Sequence, residues 1–65
     1  MVYHTKVYQN TTLVEEKLTD TYLEGLTFAD SEALEGDIIV VTAAMVCSDG
    51  EVMDLEELTR FRFSC

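Results

Sequence analysis

The run Ile38-Ile39-Val40-Val41-Thr42-Ala43-Ala44-Met45-Val46-Cys47 limits what this chain can fold into. It carries no charge, is β-branched over its first half, and is apolar at odd and even positions alike. A half-buried strand alternates apolar with polar residues, so a run without alternation reads as a central strand, placed over 37–47 and covered on both faces. Any face left uncovered would be a natural contact for a second copy. The run is far shorter than the roughly 20 residues that cross a bilayer, so no membrane segment is expected.

The neighbouring segments supply partners for that strand. Ser48-Asp49-Gly50-Glu51 follows it, and Asp-Gly tolerates the positive φ angles of a type I′ hairpin turn. The returning arm, Glu51 to Leu55, reads as strand. Asp54 to Arg60 contains good helix formers, so a bulge or a short helical turn is expected near Glu56 and Glu57. Thr59 to Ser64 alternates again, Phe61 and Phe63 on one side and Arg60, Arg62 and Ser64 on the other. Upstream, Val2 to Tyr8 is a first strand and Gln9-Asn10-Thr11 a turn. Thr12 to Glu24 gives two signals. Thr12-Leu13-Val14-Glu15 fits a helix capping box, with Val14, Leu18 and Tyr22 on one stripe and Gly25 as a stop. Thr19, Thr21 and Tyr22 favour a strand, and the short connection to Val2–Tyr8 favours a hairpin, which is the reading preferred here. Thr27-Phe28-Ala29-Asp30 starts a short helix that Gly36 ends. The fold class expected is α+β: one domain over residues 1–65, an antiparallel sheet of about four strands with one short helix, in the order β-β-α-β-β.

At 65 residues there is room for one domain with a small core and marginal stability. An apolar share of 48% is too high for a disordered acidic tail, so folding is expected despite a net charge of −9. That charge adds self-repulsion, which a second subunit would help to offset, and a homodimer is therefore expected. Two cysteines allow at most one bridge, between Cys47 and Cys65. Cys47 reads as buried and Cys65 as exposed, and no signal-peptide pattern opens the chain, which points to the cytoplasm.

Charge is the functional clue. Between Leu18 and Thr59 stand Asp20, Glu24, Asp30, Glu32, Glu35, Asp37, Asp49, Glu51, Asp54, Glu56 and Glu57, with no lysine or arginine among them. The four basic residues, Lys6, Lys17, Arg60 and Arg62, lie outside that block. Such a field attracts cationic surfaces and repels nucleic acid, anionic membranes and phosphorylated ligands. A generic soluble surface mixes both signs, so a one-signed block exceeds what solubility requires. The acids also recur two apart: Asp30 and Glu32, Glu35 and Asp37, Asp49 and Glu51, Asp54 and Glu56. On a strand, residues two apart share a face about 6.8 Å apart, while duplex DNA carries a phosphate about every 3.4 Å along each strand.

Other chemistries find less support. Asp49-Gly50-Glu51 has its glycine in the wrong place for a calcium loop, and His4, Cys47 and Cys65 are too scattered for zinc, so no metal and no cofactor is expected. His4 is the lone histidine, in a terminal strand, and reads as structural. No nucleophile has a base near it in sequence and no phosphate-binding loop occurs, so no catalytic residue is assigned. Tyr3, Tyr8, Tyr22, Phe28, Phe61 and Phe63 lack the basic groove that would let them stack bases, and direct nucleic-acid binding is not expected.

In size, charge and the block from Asp20 to Glu57, the chain resembles bacteriophage-encoded acidic DNA-mimic inhibitors. The resemblance implies a non-enzymatic protein that occupies the basic nucleic-acid-binding surface of a host protein, in the host cytoplasm. Known targets of that group include uracil-DNA glycosylase, the nucleoid protein HU, restriction or CRISPR effectors and RNA polymerase. The partner-binding residues expected are Asp30, Glu32, Glu35, Asp37, Asp49, Glu51, Asp54, Glu56 and Glu57, with Tyr22, Met53 and Leu55 as apolar anchors. Two alternatives stand beside this. One is a structural or dimerisation module that docks through Ile38–Cys47 and uses its acids for solubility; the other is an immunity-type neutraliser of a basic toxin.

Overall fold

A computed structural model describes residues 1–64; Cys65, and with it any bridge to Cys47, lies outside the described residues. The elements are β1 (Val2–Gln9), β2 (Thr12–Thr19), α1 (Tyr22–Glu32), β3 (Ile38–Val46) and β4 (Val52–Arg62). They form one antiparallel sheet in the order β2-β1-β3-β4, with α1 packed on one side of it. The β-β-α-β-β order and antiparallel sheet agree with the sequence reading, and β3 is indeed central.

Both turns differ from expectation in detail. The β1–β2 loop has two residues rather than three, Gln9 standing opposite Thr12. Asn10 takes φ 60, on the positive side where asparagine is favoured over most residues, and Thr11 does not. In the β3–β4 hairpin the Gly50 amide donates to the Cys47 carbonyl at 2.9 Å and the Cys47 amide to the Glu51 carbonyl at 2.7 Å. Only Gly50 has positive φ, at 91°, so the loop is a type I turn closed by a glycine bulge instead of type I′.

The segment Thr12 to Glu24 satisfies both of its conflicting signals in turn, as strand to Thr19 and as helix from Tyr22. The helix thus begins five residues before Thr27. Its cap is Thr21, whose hydroxyl accepts the Glu24 amide at 3.2 Å and donates to the Glu24 carboxylate at 2.9 Å. That satisfies one amide without a helical partner and sets a negative charge at the positive end of the helix. Gly25, expected as a stop, lies inside the helix facing β1, because a Cβ there would come within 3.0 Å of Thr5 Oγ1. Beyond the helix, Asp37 is pinned: its carboxylate accepts the Leu34 amide at 3.0 Å and its carbonyl accepts the Phe63 amide at 2.7 Å.

The core is small. Val7, Ala29, Ala33, Ile39 and Val41 form it, with Tyr3, Leu26, Phe28 and Phe63 packed around them. Gly25 and Ala29 let the helix approach β1 closely, so α1 lies over β1 and β2 with less overlap on β3. On β4 the continuous strand replaces the expected helical turn. Two register shifts leave Leu55 and Leu58 as extra residues, so of the two expected alternatives near Glu56 and Glu57 it is the bulge that occurs, twice.

Candidate functional site

Strand alternation divides the charged side chains between two sides of the sheet. Tyr3, Thr5 and Val7 face the helix, as do Ile39, Val41 and Ala43, so His4 and Lys6 face away with Val40, Thr42 and Ala44. The register then puts Glu16, Asp54, Glu57, Arg60 and Arg62 on the same side as His4 and Lys6, opposite the helix. Three of the four basic residues and the histidine therefore meet three carboxylates on this open face.

These groups form a network. His4 Nε2 lies 2.7 Å from Glu16 Oε1 and His4 Nδ1 lies 2.9 Å from Asp54 Oδ1, while Lys6 donates to the second Asp54 oxygen. Both histidine contacts are hydrogen bonds at once only when both ring nitrogens carry protons, since ionised carboxylates only accept. Arg60 reaches Glu57 with Nη2 at 2.8 Å and Nε at 3.2 Å. Asp54 and His4 meet across β3 because Thr42 and Ala44 between them are small. Val40, at 3% exposure, and Ala44, at 0%, are buried without any element above them, under side chains of the neighbouring strands. The open side of β3 is thus roofed by ion pairs, and it is not the bare apolar contact that the sequence suggested. With β1 and β4 on either side, β3 has no free edge with which to dock.

Burial pushes the Asp54 carboxyl up, but hydrogen bonds from Lys6 and His4 and their charges outweigh it, so Asp54 is held below its ordinary value. The Arg60 guanidinium lowers Glu57 in the same way, and Glu57 raises Arg60.

The opposite side has a different balance. Glu15 on β2 and Glu56 on β4 face the helix side, and Asp20, Glu24, Asp30, Glu32 and Glu35 stand on or beside α1, all exposed. Lys17 is the basic residue there, its ammonium 5.7 Å from the centre of the Phe28 ring. Asp49 and Glu51 project at the hairpin end, where the Asp49 carboxylate accepts the Glu51 amide at 3.0 Å. Of the expected partner-binding residues, the structure leaves Asp30, Glu32, Glu35, Asp49, Glu51 and Glu56 exposed and outside the described ion pairs. Asp37 is 5% exposed and bound to backbone, which removes it from any contact surface. Asp54 and Glu57 are committed to cations on the other side. Among the expected anchors, Tyr22 packs edge-on against Tyr3 with ring centres 6.1 Å apart, while Met53 and Leu55 are half exposed on β4.

The His4–Glu16–Asp54–Lys6 network had no signature in the sequence, since its members are up to fifty positions apart and meet only through strand register. Two shallow depressions flank the helix. One, about 880 Å³, lies beside β2 and includes Lys17, Leu23, Glu24 and Phe28; the other, about 360 Å³, lies between the helix and β4 and is lined by Leu26, Thr27, Asp30, Ile39, Phe61 and Phe63. Among the described residues, no three histidine, cysteine or acidic side chains are grouped to hold a metal ion, and no helix is long and apolar enough to cross a membrane. Comparison with protein-family models, curated proteins and solved structures returned no match, which leaves the geometry of the two sides as the basis for a functional reading.

Proposed function

We propose that this chain is a non-enzymatic inhibitor that occupies the nucleic-acid-binding surface of a basic protein, offering its helix-bearing side in place of a phosphate backbone. The observation behind the reading is the separation of charge: exposed carboxylates dominate the helix side, and most of the cations are drawn to the opposite side of the sheet. Asp30, Glu32, Glu35 and Glu56 make the contacts, extended by Asp49 and Glu51 at the hairpin end. Asp37, Asp54 and Glu57 serve the fold instead. The long dimension of the molecule, 37 Å, is close to one turn of B-form DNA, about 34–36 Å. A bacteriophage origin and a host target such as the nucleoid protein HU, uracil-DNA glycosylase, a polymerase or a defence nuclease belong to the same reading. Association is steered by charge and weakens steeply with salt.

The test is affinity purification from bacterial lysate on the immobilised chain, eluted with a salt gradient. The expected eluate is basic DNA-binding protein that excess duplex also displaces. Changing Asp30, Glu32, Glu35 and Glu56 to lysine removes it while circular dichroism stays unchanged. Neutral or acidic partners that remain bound in excess duplex overturn the proposal. A toxin neutraliser of the immunity kind would capture a basic toxin without competition from duplex. The structural-module reading is favoured by a separate observation, the exposed apolar side chains of β4, and on that reading the docking strand is β4 rather than β3.

A further inference from the structure

We propose that β4 pairs with β4 of a second copy of this chain, antiparallel and related by a two-fold axis through Glu57, to make one continuous sheet. This interface stands independently of the inhibitor reading.

Strand β4 ends the sheet and runs for 11 residues, so one row of its backbone amides and carbonyls has no neighbouring strand. An exposed edge of that length is a template for another strand. Its apolar side chains are also uncovered: Met53 is 52% exposed, Leu55 51%, Leu58 43% and Phe61 39%. The helix leaves the groove beside Phe61 open, with Leu26 and Ile39 in its wall.

The order of residues selects the partner. The bulges at Leu55 and Leu58 lie on either side of Glu57 and keep Asp54, Glu57 and Arg60 all on the open face, opposite Ala44, Thr42 and Val40. A two-fold axis at Glu57 therefore sets Asp54 of one copy, still partly exposed beside His4 and Lys6, opposite Arg60 of the other, and Met53 opposite Phe61, with each pair on a common face of the joined sheet; the two Glu57 side chains meet across the axis, each offset by the Arg60 of its own copy. Opposite charges and apolar pairs directly across from each other stabilise a strand pair. Arg60 still has donors to give, since its side chain is 59% exposed and Glu57 takes only one edge of the guanidinium.

Two copies of a chain at −9 repel each other over most of their surfaces, and on β4 the charges of Asp54, Glu56 and Glu57 are largely offset by Arg60 and Arg62, half of the four basic residues, so repulsion there is weak. The other edge, β2, is shorter at 8 residues, and its Lys17 is laid over Phe28. An isologous β4 pair uses up both β4 edges and closes at two subunits, whereas a β2-to-β4 contact is head-to-tail and continues into a fibre.

Two measurements test this. In sedimentation equilibrium the full chain should reach twice its 7.3 kDa mass at micromolar concentration and dissociate on dilution. In a background of Cys47→Ser and Cys65→Ser, the Glu57→Cys protein should cross-link to itself under mild oxidation, because that position faces its own copy across the axis. Met53→Cys alone should stay uncross-linked, yet should join Phe61→Cys when the two proteins are mixed. A monomer mass at every concentration overturns the proposal without reliance on any variant. Self-cross-linking of Met53→Cys as readily as Glu57→Cys overturns the register, and growth beyond the dimer overturns the closed pairing.

Discussion

Replacing Gly25 by alanine tests how the helix sits on the sheet. On helix propensity alone the change should help, since alanine is favoured over glycine by about 1 kcal/mol in a helix interior. The space does not allow it. The added Cβ would fall within 3.0 Å of Thr5 Oγ1, 3.3 Å from Thr19 Oγ1 and 3.7 Å from Thr5 Cβ. Thr5 is fully buried, so it has nowhere to retreat, and its hydroxyl has no hydrogen-bond partner among the described residues. Overpacking of this kind costs roughly 1–3 kcal/mol. A contact this close belongs in the upper half of that range, so the net loss is about 1–2 kcal/mol after the propensity gain. For a domain of this size that lowers Tm by roughly 5–15 °C. The companion change Thr5→Ala removes both the clashing oxygen and an unsatisfied buried hydroxyl, so Gly25→Ala with Thr5→Ala should recover most of the loss. The four proteins of that cycle, compared by urea and thermal unfolding, should show a coupling of at least about 1 kcal/mol. If Gly25→Ala alone melts at or above the parent temperature, the close helix–sheet approach described here is wrong.

Acid should weaken the fold through the open face. Asp54 and Glu57 are held below their ordinary values when folded. The stability they contribute is therefore complete above the ordinary carboxylate range and is lost as pH falls through their depressed folded values. Urea midpoints from pH 7 to pH 2 should fall most steeply at the acid end, and Asp54→Asn should flatten that part of the curve; an unchanged curve would remove Asp54 from the network. Thr21→Ala deletes the helix cap and should cost about 1 kcal/mol in the same assay, whereas Thr11→Ala, exposed in the β1–β2 turn, should be nearly neutral.

The sequence was most legible where residues served a local purpose. Ile38 to Val46 could only be a central strand, and Phe61 and Phe63 showed their common side by simple alternation. The helix start was harder to place because Thr21-Tyr22-Leu23-Glu24 and Thr12-Leu13-Val14-Glu15 offer the same capping pattern, and only tertiary packing selects the first. Gly25 reads as a stop until the strand beneath it is known. A bulge near Glu56 and Glu57 was legible, but the choice between it and a helical turn was not, since leucines and glutamates suit a helix locally and only strand pairing with β3 overrides them. On the candidate surface, a carboxylate's neighbours in sequence said little about its neighbours in space. Asp37 became a backbone anchor, and Asp54 met His4 and Lys6 from the other end of the chain.

The ion-paired roof over β3 gives the two sides of this protein opposite responses to ionic strength. Added electrolyte loosens attractions among His4, Glu16, Asp54 and Lys6, yet it also relaxes the mutual repulsion of the carboxylates around α1. Exposed charges are screened far more than partly buried ones. The second effect therefore prevails, and modest salt should firm this fold while it strips away any cationic partner, so that the conditions best suited to preserving the molecule are the worst for finding what it binds.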